Sequence, residues 1–461
     1  MTKSDVYKFI AQSSLYGNLG LFIGAGFSHA VNEEFPTCKP LNWSDLLKQL
    51  CKDNNILWED KKDDDGNITE KSPIIKEFVS CPEIASQICK IISEKTSMSL
   101  TDSIRTFKHQ ICNITSWYAD VQQRNQYHDL LIKVSPRWIV TTNYDLILET
   151  LLPEESISLS PKDELVYPKS KIPIYHLHGI RTDPDTIIIT REDYIQLSRP
   201  HNYRMEKLSL MFSESSTLMI GYKIGDPNVQ TALDWSKNIY DEQNSKTTKY
   251  PHKIIQLVHK RTPADEPYET DNGIIILETD SVFTILKEIS DTIDDVQIEN
   301  DNIQNEVLNI QNKFLNPTEE DINNFISNDN VKNNTIKEII KNPNIVIATE
   351  NFLSVVFKTL WKKTEPYGAF DEYADILDLL LYVFTNFELK KFPPSIYMFF
   401  IEQFEALAPY INNTYYCDSA EACRHWRTNK DSIKEDNKIE IKNISQWNWQ
   451  IKSLLKRFNF S

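Results

Sequence analysis

Four stretches join the end of an apolar run to glycine or small polar residues, and each could do chemistry. The first is Leu19-Gly20-Leu21-Phe22-Ile23-Gly24-Ala25-Gly26-Phe27-Ser28. Glycines let a backbone approach a pyrophosphate, and the N–H groups of a turn and helix start can hold it. The dehydrogenase fingerprint wants a third glycine at position 29, where His29 stands, although Asp45 lies about twenty residues on. A plain tight turn has the same composition. The second is Ile139-Val140-Thr141-Thr142-Asn143-Tyr144-Asp145. A buried strand here ends in a polar trio, the position at which open α/β sheets bind ligands, and equally the position of an Asn or Asp helix cap.

The third stretch is Ile174-Tyr175-His176-Leu177-His178-Gly179. Strand alternation predicts His176 and His178 on one face, with Gly179 leaving the second imidazole approachable. A histidine at a strand end also serves purely structural roles. The fourth is Met219-Ile220-Gly221-Tyr222-Lys223-Ile224-Gly225-Asp226-Pro227-Asn228, a strand followed by a glycine-containing polar turn that needs no ligand to exist.

The elements that must position these residues are short and β-rich. Leu19–Ile23, Trp138–Thr142, Ile172–Leu177, Thr186–Thr190, Thr217–Gly221, Ile254–Val258 and Ile274–Leu277 are mostly continuous apolar runs, as parallel strands buried on both faces require. Helical spacing appears in Trp43–Cys51, Glu83–Lys95 and Tyr127–Val134. Strands alternating with helices predict an α/β fold with a Rossmann-like parallel sheet over residues 1–285. All four motifs then fall at strand C-termini and meet at one sheet edge. Asp60–Gly66 and Glu242–Lys249 are predicted as solvated loops.

The conjunction of the four motifs, in this order, resembles the sirtuin superfamily over about residues 15–280. Gly24-Ala25-Gly26-Phe27-Ser28 looks like its phosphate loop, Asn143 its catalytic Asn, Asp145 its nicotinamide-reading Asp, and His178-Gly179 its catalytic His-Gly. Gly221-Tyr222 with Asp226 looks like the late turn around the adenosine ribose. Pro40-Leu41-Asn42-Trp43, the Thr-Thr-Asn-Tyr-Asp form and Thr190-Arg191-Glu192-Asp193-Tyr194 resemble the bacterial antiphage-defence branch. Deacylating sirtuins carry a four-cysteine zinc ribbon, and this chain has no cysteine between Cys112 and Cys417. The resemblance implies an enzyme with NAD+ as substrate and no metal, a hydrolase that cleaves the nicotinamide–ribose bond and depletes NAD+ in abortive infection. Asn143 would orient a ribose hydroxyl or the attacking water, and His178 would act as base. Gly24, Ala25, Gly26 and Ser28 would hold the pyrophosphate, with Tyr222 and Asp226 on the adenosine side. An NAD-dependent deacylase and a non-catalytic NAD-binding module are the alternatives.

The remaining composition bounds the setting. The chain has 461 residues and a formal charge of −16, which argues against coating nucleic acid through its overall field. Seven cysteines, an odd number, suit a reducing compartment rather than a disulfide framework. No apolar run approaches the roughly 20 residues that span a bilayer, and no signal peptide opens the chain, so a cytoplasmic location is expected. Residues 281–330 hold 11 acids against two lysines, which predicts an acidic, Asn-rich boundary or polar helices at 286–330. Beyond it, Ile345–Leu360, Tyr373–Phe387 and Ser395–Leu407 have helical periodicity, and residues 281–461 contain one glycine, Gly368. This predicts a helical domain at 331–461 without a phosphate loop. The family resemblance implies a homo-oligomer or a partner such as a HerA-like ATPase, engaged through this domain.

Overall fold

The run Leu19–Ile23 has no polar side chain to present to water, and the chain solves this by burying it on both faces. In the computed structural model it forms β1, inside an eight-stranded sheet. The structure describes residues 1–33, 39–63, 67–77, 79–164, 170–197, 199, 202–238, 252–412 and 419–460. The Glu242–Lys249 loop, residues 64–66 of the Asp60–Gly66 loop and Cys417 lie outside the described residues, and Lys61–Lys62 forms an exposed antiparallel pair with Ile68–Glu70.

The other strands are β2 (Trp138–Thr141), β3 (Ser156–Leu159), β4 (Ile172–His176), β5 (Ser216–Ile220), β6 (Ile254–His259), β7 (Tyr268–Glu269) and β8 (Ile274–Thr279). Their order is β3-β4-β2-β1-β5-β6-β8-β7. Every pairing is parallel except β7 against β8. From β1 the chain builds outward to β2 on one side and later returns to β5 on the other. The strand order therefore reverses between β1 and β5, the place where doubly wound sheets open a ligand crevice.

Alternation splits the strand side chains between two layers. Leu21, Ile23, Ile139, Leu218 and Ile220 face a core built with α1 (Lys3–Leu15), α2 (Ala25–Val31), α6 (Val121–Val134), α7 (Ile147–Leu151) and the start of α11 (Val282–Leu315). Phe22, Trp138, Val140 and Met219 face α9 (Tyr203–Glu214) and α10 (Pro227–Asn238). Gly20 belongs to this second face, where a Cβ would stand 2.0 Å from the Trp138 ring. A separate cluster joins α3 (Trp43–Asp53), α4 (Cys81–Thr96) and α5 (Leu100–Ile114) to Tyr144, Ile187 and Ile189.

Two sequence expectations change. Thr186–Thr190 is not a strand. Its backbone groups are taken by loop partners: Ile188 N–H donates to His178 O at 2.8 Å, Tyr144 Oη–H to Ile188 O at 2.8 Å, and Ile189 and Thr190 N–H to the Asp193 carboxylate. The apolar side chains Ile187 and Ile189 are buried in the α3–α5 cluster instead of a sheet. Second, β4 ends at His176, so strand alternation does not carry on to His178.

The chain divides into two compact units, 1–298 and 299–461. Ile285, Leu286, Ile289, Ile293 and Val296 of α11 belong to the first unit's core, so that unit extends past residue 285. The acidic stretch 286–330 is helical, formed by the rest of α11, then α12 (Glu319–Ser327) and the first residues of α13 (Asp329–Lys341). The second unit continues with α14 (Val346–Lys363), α15 (Tyr373–Asn386), α16 (Pro394–Ile411), α17 (Ala420–Asn429), α18 (Glu435–Ser445) and α19 (Trp449–Arg457). Phe384, Phe387, Phe400 and Phe404 fill its core, and Trp361, Tyr382, Tyr397 and Phe399 pack against it. Its interior thus accounts for these eight aromatics, whereas Tyr367, Trp447 and Trp449 are exposed. Among the described residues, no helix is long and apolar enough to cross a membrane.

The closest backbone approach in the sheet edge sets a stability prediction. Gly221 has φ +63°, and a Cβ there would lie 2.1 Å from Phe27 N. Gly221→Ala should cost at least about 2 kcal/mol, because neither the backbone angle nor the contact can relax cheaply. Gly225, whose Cβ would meet nothing nearer than 3.8 Å, is the control, and its alanine variant should stay within about 0.5 kcal/mol. Urea denaturation midpoints compare the two. Equal midpoints would mean that the β1 and β5 turns need not touch.

Candidate active site

The ends of β1 and β5 meet backbone to backbone. Gly24 N–H donates to Ile220 O at 2.9 Å, and Gly26 N–H to Gly221 O at 2.9 Å. A Cβ on Gly24 would lie 2.5 Å from Gly221 O, and one on Gly26 would lie 2.7 Å from Gly221 Cα. Side chains at these positions would push the two turns apart. Beside this contact opens a cavity of about 780 Å³, within the usual range of ligand pockets.

The cavity gathers most of the residues singled out from sequence. Ala25, Gly26, Asn143, Asp145, His178, Gly221, Tyr222 and Asp226 all line it. Gly24, Phe27 and Ser28 stand behind it. Phe27 is a core side chain, edge-on to the Tyr127 ring. The hydroxyl of Ser28 faces inward and links two site residues. Asn143 Nδ2 donates to Ser28 Oγ at 3.0 Å, and Ser28 Oγ–H donates to Asp145 Oδ2 at 3.0 Å.

The second motif is a turn rather than a simple cap. Thr141 Oγ–H donates to Ile23 O, and the same oxygen accepts from Asn143 N. Asp145 Oδ1 accepts from Ile147 N at 3.1 Å and so also starts α7. Burial pushes the Asp145 carboxyl up to about 6, against the hydrogen bonds from Ile147 and Ser28 that pull it down. That carboxyl is reserved in the free protein at the cost of its own solvation.

The two histidines separate. His176 turns to the interior, with Nε2 2.7 Å from Glu149 Oε1 and Nδ1 3.1 Å from Asn143 O. Acceptors on both sides call for both ring nitrogens to donate, which is the imidazolium. Burial opposes that charge, but Glu149 outweighs it and holds the imidazole above its ordinary value. Burial likewise opposes the Glu149 charge, and His176 with Ser158 outweighs it, so the carboxyl sits below its usual range. His176 therefore anchors the main chain that carries Asn143.

His178 faces the cavity. Its Nε2 lies 3.0 Å from Asp226 Oδ2, approached too obliquely for a good hydrogen bond, and its Nδ1 lies 3.4 Å from the Tyr194 hydroxyl. Gly179 does more than clear space beside the imidazole. Its φ is +99°, and a Cβ would stand 2.3 Å from Thr186 O. The stretch Thr190-Arg191-Glu192-Asp193-Tyr194 starts α8 (Arg191–Leu197), with Asp193 capping the turn and paired to Lys108 at 2.8 Å. This brings Tyr194 onto His178, and Trp43 stands edge-on to Tyr194 at 6.0 Å between centroids.

Several lining residues were given no role from sequence, although Arg191, Lys223 and Asn228 lie inside motifs it marked. Trp117, Arg191, Lys223 and Asn228 line the cavity, and Glu149 supports it from below. Tyr222 Oη and Asn228 Nδ2 are buried without a hydrogen-bond partner. Buried polar atoms without partners are costly, and both residues line the cavity. Among the described residues, no group of three or more His, Cys, Asp and Glu side chains could hold a metal ion.

Residues 137–275 match the SIR2-like domain, and the first unit is a sirtuin-like, Rossmann-like fold. The match begins just before β2, so the glycine turn of β1 is joined to it by geometry. The chain is 21% identical over 241 residues to Defense-associated sirtuin 2 of Bacillus subtilis, a match that takes in 51% of this chain and 21% of that protein. The matched region thus spans about a fifth of the relative's length.

The raised Asp145 carboxyl predicts a pH effect on stability. The folded value of about 6 exceeds the ordinary 3.8, so ionising Asp145 costs folding energy above about pH 6, and the cost fades as pH falls towards 4. Asp145→Asn removes the ionisation while keeping an acceptor for Ile147 N. The variant should gain on the order of 2–3 kcal/mol over wild type at pH 7.5 and little at pH 4. Denaturation midpoints across this range would give a pH-independent difference if Asp145 were solvated.

Proposed function

We propose that the first unit hydrolyses NAD+ to nicotinamide and ADP-ribose. One observation carries the proposal: Asn143, Asp145 and His178 meet the Gly26–Gly221 backbone contact on one cavity, at the point where the strand order reverses. The cavity's features suit a dinucleotide. Close glycine backbones admit a pyrophosphate, Arg191 and Lys223 supply positive charge on the wall, and the unpartnered Tyr222 and Asn228 atoms await polar groups of a ligand. SIR2-like domains use NAD+, which agrees with this chemistry.

In this scheme the ionised Asp145 accepts a hydrogen bond from the nicotinamide carboxamide. Asn143, released from Ser28, turns its amide to a ribose hydroxyl or to water. The C1′–N bond breaks, and its electron pair neutralises the pyridinium ring. Charge builds on the ribose as in glycoside hydrolysis. Water adds to C1′ and gives its proton to His178 as general base. The name of the Bacillus subtilis relative supports placing this activity in antiphage defence, as an effector that depletes NAD+.

His178→Ala and Asn143→Ala should each lower nicotinamide release by at least about 10²-fold while leaving the fold intact. Purified protein is incubated with NAD+, alone and with proteins encoded beside it, and products are separated. Free ADP-ribose without any acylated peptide distinguishes hydrolysis from deacylation. Release near the wild-type rate in His178→Ala would overturn its role as the base.

An unrestrained NADase would exhaust its own cell, and the helical second unit is proposed to supply control through self-association or a partner such as a HerA-like ATPase. Ending the chain after Ile298 keeps the first unit's core helix through Val296. The shortened chain should lose the full-length oligomeric state and its regulated activity. If sizing and NAD+ cleavage both match the full chain, the second unit is not the control element.

A further inference from the structure

Asp226 does not stand apart from the chemistry of His178. It lines the same cavity, with Oδ2 3.0 Å from His178 Nε2 and Oδ1 accepting from Asn228 N at 2.8 Å. The side chain is thus fixed from one end by the start of α10 and presents its other oxygen to the imidazole. Burial works against its charge, but His178 and the N–H groups of Asn228 and Val229 outweigh it and hold the carboxyl below its ordinary value. An ionised carboxylate only accepts, so although the approach in the free protein is oblique, the tautomer with hydrogen on Nε2 is the one Asp226 favours.

Resting on the hydrolase reading above, we propose that Asp226 is a positioning residue for His178: it fixes the ring proton on Nε2 and leaves Nδ1 as the atom that takes the proton from water. The surroundings of Nδ1 agree. Its neighbour is the Tyr194 hydroxyl at 3.4 Å, which can donate to a ring nitrogen that carries a free lone pair. Burial and the nearby Asp226 charge keep that phenol protonated. The contact is long, and such hydrogen bonds in free enzymes are replaced or tightened when substrate arrives. During reaction the water O–H bond breaks as its oxygen bonds C1′, and the proton passes to Nδ1. His178 is then an imidazolium beside Asp226, whose charge stabilises it. The C1′–N electron pair leaves with nicotinamide.

This differs from a carboxylate that binds the adenosine ribose, and the two make opposite predictions. Asp226→Asn is the first variant, because asparagine still accepts from Asn228 N at the start of α10. If Asp226 positions His178, kcat should fall by about 10²-fold or more, with KM changed less than about threefold. Asp226→Glu, which keeps the carboxylate, should recover part of kcat. A raised KM with unchanged kcat would make Asp226 a substrate-binding residue and overturn the proposal. A second readout needs no activity. In full-length protein labelled with 15N-histidine, and with His178→Ala used for assignment, the His178 ring nitrogens should report the Nε2–H form in wild type and lose that preference in Asp226→Asn. A proton on Nδ1 in wild type, or the same tautomer in both proteins, overturns it. A wild-type protein inert towards NAD+ would sink the hydrolase reading, and the nitrogen spectrum would still decide the pairing.

Discussion

The contact between the turn after β1 and the turn after β5 is the constraint on which the site depends. Gly24, Gly26 and Gly221 bring two backbones to distances that no side chain tolerates, and two N–H groups hydrogen-bond across the gap. This happens where the strand order reverses, so helices leave the sheet in opposite directions and a crevice opens beside the joint. The price of such tight turns is conformational, and at Gly221 a φ of +63° is combined with a Cβ position 2.1 Å from Phe27 N, which only glycine tolerates. Asn143, Asp145, His178 and Asp226 are then delivered to the crevice from β2, from the turn after β4 and from the start of α10.

Three buried carboxylates around this crevice are sorted by what faces them. Glu149 faces His176 and stays charged, which holds the Asn143 main chain in place. Asp226 faces His178 and also stays charged. Asp145 faces only neutral donors, and burial raises it to about 6. A positively charged ring entering the crevice would favour the ionised form of Asp145, whereas Glu149 already faces His176.

Much of this was legible in the chain, for definite reasons. Continuous apolar runs marked parallel strands, and glycines at their ends marked the turns. Thr186–Thr190 was misleading because a β-branched run fits a strand pattern equally well. Only the tertiary partners, His178 O, Tyr144 Oη and Asp193, reveal that its backbone is satisfied in a loop. Phe27 and Ser28 sit within the glycine motif but turn inward, and the direction of a helical side chain depends on a helix start that spacing cannot locate to one residue. Glu149 left no trace at all. A lone acid on a five-residue helix becomes significant only when β4 brings His176 to it.

The two histidines show how the end of a strand divides labour. His176 is the last residue of β4, held in the sheet, and its ring is committed on both nitrogens. Three residues later, Gly179 turns the chain at φ +99°, and the 186–190 loop grips the turn through Ile188 N–H and His178 O. That grip fixes the backbone of His178 without using its ring. A residue so held can offer its imidazole to the cavity while its main chain stays rigid, which is what proton transfer at a defined distance requires. The α3–α5 cluster takes part through Ile187 and Ile189, which anchor the gripping loop. The geometry of the imidazole therefore depends on a layer of structure outside the sheet. That is why the loop's apolar residues are buried as thoroughly as those of a strand.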